Sequence, residues 1–199
     1  MALPATDVFT TASNQAIATY SASWTVNNGA FTVFATGDDV ASSAAGDNLA
    51  HWNADAFNDN QYGQIVISAA ASNDVGAAAR CAASAFTGYV FSAGNGASYF
   101  SKYVAGVWTA LAADGAGYAT NDVVRIETNG TTITPLKNGG TTGTPGPVTD
   151  TSIASGSAGI YGYGNTSGRG DNWEGGNLGG AAATSFPPLR RQRLWRRAL

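Results

Sequence analysis

The side chains able to do chemistry are few. Glutamate occurs only at Glu127 and Glu174, and glycosidic hydrolysis needs two carboxylates held close together, one to donate a proton and one to attack or activate water. Two glutamates so far apart in sequence form no such pair by spacing alone. The single histidine, His51, stands beside Trp52, and the single cysteine is Cys81. One of each excludes an internal disulfide and a zinc site of the usual Cys/His kind within one chain. Cys81, in an alanine-rich stretch, reads as a small buried hydrophobe. Aromatic rings are better supplied. A flat ring covers the apolar face of a pyranose while neighbouring amides and carboxylates take its hydroxyls. On that chemistry Trp108, Tyr118, Tyr161, Tyr163 and Asn165, with His51 beside Trp52, are the candidate glycan-binding residues.

The elements that position these residues read as strands. Glycine makes up 26 of 199 residues and charged residues only 12%, while Val, Ile, Thr and aromatics cluster in short runs between Gly, Asn, Asp and Ser, the pattern of many short strands with tight turns. The clearest signal is a hairpin. Val124, Ile126 and Thr128 alternate against Val123, Arg125 and Glu127, Asn129-Gly130 turns the chain, and Ile133 with Leu136 begins the return. Further strands are expected at 7–10, 17–20, 24–26, 31–34, 48–52, 61–68, 88–91, 98–102 and 107–111. Residues 76–82 read as a buried strand of small side chains despite their alanines, and residues 35–46 as a loop too polar and small to pack. Turn signals about every ten residues suit a sandwich or barrel. The expected organisation is one all-β domain over 1–178, a Gly/Ala/Pro linker at 179–188 and a basic arm at 189–199.

Charge is divided unevenly. All 13 acids precede residue 186, where only Arg80, Lys102, Arg125, Lys137 and Arg169 oppose them, and the last 14 residues hold five arginines and no acid. A basic arm on an acidic body suits docking on an acidic partner. In that role Phe186, Leu194 and Trp195 would be anchors, with Arg190, Arg191, Arg193, Arg196 and Arg197 pairing with carboxylates. Nucleic acid is an unfavourable partner, because the acidic body would be repelled by it. No apolar run approaches the ~20 residues of a spanning helix, and MALPATDVFT lacks the basic and apolar regions of a secretory signal.

Several short motifs, taken in order, resemble the concanavalin A-like lectin/glucanase (LamG-like) superfamily over about residues 7 to 175. They are Asp7-x-Phe9, Gly76-Ala77-Ala78-Ala79-Arg80 followed by Tyr99-Phe100, the Arg125-Ile126 to Gly130-x-x-Ile133 hairpin with Asn138-Gly139, Gly156-x-Ala158-Gly159-Ile160, and Asp171-Asn172-Trp173. The resemblance implies a jelly roll of two antiparallel sheets whose last strand returns beside the first. Hydrolases of that superfamily carry a Glu-x-Asp-x-Glu type cluster on one strand, and this chain has none. Its lectins often hold Ca2+ with loop carboxylates, which makes Asp38, Asp39 and Asp47 candidate calcium ligands; no cofactor is required by the sequence. A Leu3-Pro4-x-x-Asp7-x-Phe9 lead is also similar to stand-alone modules in tailed-bacteriophage structural proteins.

The leading expectation is a non-enzymatic structural or accessory protein on the surface of a phage-like virion, made in the host cytoplasm. It would dock on a capsid or tail protein through its arm, form a homo-oligomer and adhere to cell-surface glycan. A free carbohydrate-binding, lectin-like module is the alternative, and a degenerate glycoside hydrolase the third reading.

Overall fold

The computed structural model describes residues 3–72, 74–94, 96–113, 115–164 and 166–179. In chain order the elements are β1 (Ala5–Asp7), β2 (Gln15–Ala16), α1 (Ile17–Tyr20), β3 (Trp24–Asn28), β4 (Phe31–Phe34), β5 (Asp39–Ser42), β6 (Asp47–Trp52), β7 (Gln61–Ala69), β8 (Val75–Cys81) and β9 (Gly88–Ala93). They continue with β10 (Ala97–Val104), β11 (Val107–Ala110), β12 (Gly115–Ala116), β13 (Val123–Asn129), β14 (Thr132–Lys137), β15 (Val148–Thr149), β16 (Ser157–Tyr163) and β17 (Arg169–Asn177). The first sheet runs β15-β14-β13-β7-β17-β5-β4-β2, with β1 also on β17. The second runs β11-β10-β9-β8-β16-β6-β3, with β12 on β10. Every pairing is antiparallel, and β17 lies beside β1 with Asp7 opposite Trp173. This is the two-sheet sandwich with a returning last strand. No helix among the described residues is long and apolar enough to cross a membrane.

The inner faces meet in one core that includes Ile65, Ile67, Phe91, Val124, Ile126 and Ile160. Three indoles tie the sheets together: Trp24 on β3 and Trp52 on β6, from the second sheet, meet Trp173 on β17, from the first, with ring centroids 4.7 to 5.3 Å apart. Each indole N–H has an acceptor, on Asp7, Asp55 and the Gly159 carbonyl respectively. Aromatic pairs of this kind contribute about 0.5–1.5 kcal/mol each beyond the area they bury. Gly159 is required here. A Cβ at that position would lie 2.2 Å from the Ala50 carbonyl oxygen of the neighbouring strand.

The hairpin has the expected faces, with Val124, Ile126 and Thr128 fully buried, but its loop falls one residue later. Asn129 pairs with Thr132, and Gly130-Thr131 make the turn, with Gly130 at φ 57°. Two expectations are corrected. Residues 17–20 form one helical turn rather than a strand, because Ile17 and Tyr20 must face the same way. A spacing of three places them on one side of a helix and on opposite sides of a strand. Ile17 enters the core, while Tyr20 packs 6.2 Å from Phe9 and donates its hydroxyl to Asp7. The stretch 35–46 is not wholly loop either. It contains β5, buried throughout, since Val40 fits the core and Asp39 is satisfied by Ser68 and Arg169. The buried strand expected over 76–82, by contrast, does form, as β8 over Val75–Cys81.

Asp7 joins three of these pieces. Its Oδ1 accepts from the Phe9 amide at 2.8 Å and the Tyr20 hydroxyl at 2.7 Å, and its Oδ2 from the Trp24 indole at 2.8 Å. Asp7→Ala leaves three donors without their acceptor and is expected to lower stability by roughly 3 kcal/mol, read by urea denaturation. Asp7→Asn, which keeps one acceptor oxygen, is expected to cost less. Equal and small losses for both would contradict this role.

Candidate functional site

The side chains of the second sheet that point away from the core follow from its register, because directly paired residues share a face and alternate residues along a strand return to it. His51, Gly159, Ala78, Val90, Ser101 and Ala110 pair in succession across six strands. Tyr161 and Tyr163 lie on that same face of β16, Tyr103 on β10, and Trp108 on β11 opposite Tyr103. Four of the six expected glycan residues therefore share one surface.

That surface is partly roofed. The loop at residues 82–87 crosses it. Asn27 on β3 donates to the carbonyls of Ala82 and Ala85, and at the far side Gly106 donates to the Phe86 carbonyl while Phe86 stacks on Tyr103 at 4.1 Å. Beneath the roof Leu49, Ala78, Cys81, Val90, Tyr103 and Tyr161 form a second, smaller core. Small satellite cores of this kind form under loops. At its margin the half-buried Asp47 carboxylate accepts on Oδ1 from the hydroxyls of both Tyr103 and Tyr161. Burial above all pushes both phenols well above their usual range, helped next by the Asp47 hydrogen bond at Tyr103 and by the neighbouring Tyr103 and then Asp47 at Tyr161, and keeps them protonated as donors. Asp47 Oδ2 has no partner among the described residues. Trp108, 55% exposed, and Tyr163, 49% exposed, stand on either side; Trp108 is opposite Tyr103, and Tyr163 opposite Asp47.

His51 lies in the floor rather than on an open platform. It is 4% exposed, with Nδ1 2.8 Å from Asn27 Oδ1. Because the Asn27 amide nitrogen is held by two carbonyls, its oxygen faces the ring. Nδ1 must then carry the proton, which leaves Nε2 as an acceptor. Burial lowers the His51 pKa and keeps the ring neutral.

Other expectations fare differently. Tyr118 is no surface platform: it is buried in the main core, edge-on to Phe91 at 5.9 Å, with the Lys137 ammonium 4.4 Å from its ring centre. Tyr161 shares the right face but is covered by its neighbours. Asn165 lies outside the described residues, as do Phe186, Arg190, Arg191, Arg193, Leu194, Trp195, Arg196 and Arg197, and with them the arm and nearly all of the linker. Of the calcium candidates, Asp39 is held by Arg169 and Ser68 on the first sheet, and Asp47 is among the tyrosines of the second. Among the described residues no three His, Cys, Asp or Glu side chains are grouped to hold a metal.

The two glutamates share the outer face of the first sheet, on the strands flanking β7. Glu127 pairs with Arg125 at 2.7 Å, the Arg125 guanidinium lies 3.6 Å from the centre of the Tyr62 ring, and the Tyr62 hydroxyl donates to Glu174. A ring and a guanidinium occupy the space between the carboxylates. Both carboxylates are thereby engaged by protein groups, whereas a hydrolytic pair faces a gap that holds the sugar and its attacking water.

Sequence reading missed Tyr103, although Tyr99, Ser101 and Tyr103 alternate on one face. The expected strand ended at 102, one residue short. It also missed the loop-end cleft of about 450 Å3 bordered by Asn58, Asp59, Asn60 and Thr131, whose residues come from loops far apart in the chain.

No family model matches the chain, and no curated protein matches it. Several solved structures share its fold. The carbohydrate-binding module CBM66 from Bacillus subtilis is 15% identical with a TM-score of 0.58, over 75% of this chain and 91% of that one. A protein of unknown function with a galectin-like fold, also from Bacillus subtilis, is 8% identical with a TM-score of 0.60, over 87% and 94%. The apo Crh5 transglycosylase is 12% identical with a TM-score of 0.55, over 89% and 85%. At these identities the likeness establishes the sandwich fold.

Acidic groups elsewhere give a pH test of the geometry. Asp171 is pushed up to about 6, first by burial and then by the nearby carboxylates of Asp39, Asp38 and Asp7. Its folded pKa exceeds its unfolded value, so the folded state holds the proton more tightly between about pH 4 and pH 6, and stability falls as pH rises through that window. Relative to wild type, Asp171→Asn is expected to gain on the order of 1 kcal/mol on going from pH 4 to pH 7. Parallel melting curves of the two proteins across this range would contradict it.

Proposed function

We propose that this protein is a non-catalytic carbohydrate-binding module that takes its saccharide on the outer face of the second sheet, over Asp47. The observation that carries the reading is the Asp47 carboxylate, fixed by two tyrosine hydroxyls, with exposed Tyr163 opposite it on β16 and exposed Trp108 opposite Tyr103 on the same face. An exposed indole offers a flat apolar surface to a sugar ring. The free Asp47 Oδ2 offers an acceptor to its hydroxyls. Each polar group is held by protein partners before ligand arrives, so little ordering cost falls on binding.

The sandwich shared with a carbohydrate-binding module and a galectin-like protein supports this reading over the virion one. The attachment role expected of the arm falls on residues 180–199, outside the described residues. The filled space between Glu127 and Glu174 supports a binding role rather than a hydrolytic one.

The full-length protein is expected to bind a subset of saccharides on a glycan array, and Trp108→Ala is expected to weaken the best hit about tenfold, equivalent to ~1.4 kcal/mol. Asp47→Asn should weaken it too, with a modest fall in melting temperature, since the amide oxygen still accepts from both hydroxyls but without the charge. Undiminished binding by both variants would sink the assignment. Because Asp39 and Asp47 are engaged by protein donors on different sheets, EDTA should leave affinity unaltered. A calcium requirement in the same titration would overturn that part of the reading.

A further inference from the structure

A second polar site lies at the end of the sandwich, away from the aromatic face. It is built around Arg80. At the end of β8 the chain takes φ 51° at Arg80, a left-handed kink beside the register shift between Ser157 and Gly159. Irregularities of this kind re-aim a side chain out of the strand's alternation. The Arg80 side chain turns to the sandwich end, where it is 3% exposed. Its Nε donates to the Asp59 carbonyl at 3.0 Å, Nη1 to the Ile153 carbonyl at 2.8 Å and Nη2 to the Gly130 carbonyl at 2.7 Å. All three acceptors are neutral backbone groups from three separate loops. A guanidinium has five N–H groups, so two have no acceptor among the described residues.

Those loops border an open cleft of about 450 Å3, and Arg80 lines it. The volume falls in the ~300–1,000 Å3 range of small-ligand sites. Asn58, Asp59, Asn60, Thr131 and Thr151 supply side-chain polar groups around it, and no aromatic ring lines it. Asp150 is in its wall, but that carboxylate is already compensated by Lys102, the Tyr89 hydroxyl and the Ser152 amide. Asp59 is exposed and makes no side-chain bond among the described residues.

The charge balance decides the ligand. The positive charge is buried, where water screens it least, whereas the uncompensated Asp59 charge is solvated. A buried cation satisfied only by neutral carbonyls favours an anionic partner, and a guanidinium favours a carboxylate in particular. The body's excess of acids repels anions at long range. At physiological salt that repulsion is screened beyond ~8 Å, and contact with Arg80 dominates.

We propose that this cleft binds the carboxylate of an acidic sugar residue on Arg80, with the surrounding amides and hydroxyls taking its hydroxyl groups. This rests on the saccharide-binding reading and adds a second site of different chemistry to it. Recognition would be end-on and charge-assisted, in contrast to ring stacking at Trp108.

The test is a titration of the full-length 15N-labelled protein with D-glucuronate and, separately, D-glucose, followed by amide chemical shifts. Glucuronate is expected to move the Gly130, Thr131 and Ile153 amides saturably, glucose to leave them in place, and added salt to weaken the effect. Arg80→Gln would release three loops and can unfold the end of the sandwich, so the informative variant is Thr131→Glu. That exposed position should fold normally, and the added charge should weaken glucuronate at least tenfold. If glucuronate leaves these amides unmoved, or glucose moves them equally, the inference falls. The Trp108 indole signal, followed with the best glycan-array hit, reports the aromatic face separately, so either site can fail without the other.

Discussion

The outer face of the second sheet depends on one carboxylate. Asp47 on β6 accepts from Tyr103 on β10 and Tyr161 on β16, and β10 and β6 lie at opposite ends of a run of five strands in the sheet order. Side chains so far apart in the ladder can meet only if the sheet twists and curls until its diagonal corners approach, as strand handedness permits. Hydrogen bonds to an ionised group contribute roughly 1.5–3 kcal/mol each. Two on one carboxylate are enough to fix the curl locally. The roof of residues 82–87 then closes over the apolar floor, leaving Trp108 and Tyr163 outside it.

The other ends of the molecule use the same device with different partners. Asp7 gathers a backbone amide, a phenol and an indole, and so binds the first strand to the helical turn and β3. Arg80 gathers three carbonyls from three loops. In each case a buried charge is compensated by several polar groups of distant segments. Removing one member leaves the others unsatisfied. Both oxygens of Asp7 have partners, whereas Asp47 Oδ2 and two N–H groups of Arg80 have none among the described residues, and it is at these two that ligand chemistry has been placed.

The sandwich was legible from the sequence because alternation and turn residues are local signals. The hairpin at Val124 to Ile133 and the closing Asp171-Asn172-Trp173 strand could be read directly. The helical turn at 17–20 was not, since its cause is a tertiary contact between Tyr20 and Asp7, 13 residues apart. β5 was hidden for the same reason: Asp39 looks like loop until Arg169 supplies its partner. The site was half legible. Residue type put Trp108, Tyr161, Tyr163 and His51 forward as candidates, but only register shows that they share a face, and only the 82–87 loop explains why two of them are covered. Tyr118 has the same composition signal and ends in the core. The roles of Asp47 and Arg80 follow from partners 21 to 114 residues away, which no spacing rule contains.

The most direct test of saccharide binding on the aromatic face is a crystal structure of the full-length protein with the strongest saccharide from a glycan array. The account predicts a sugar ring against the Trp108 indole, with a hydroxyl donating to Asp47. A sugar bound on the opposite sheet over Tyr62 and Arg125, with the aromatic face empty, would contradict it.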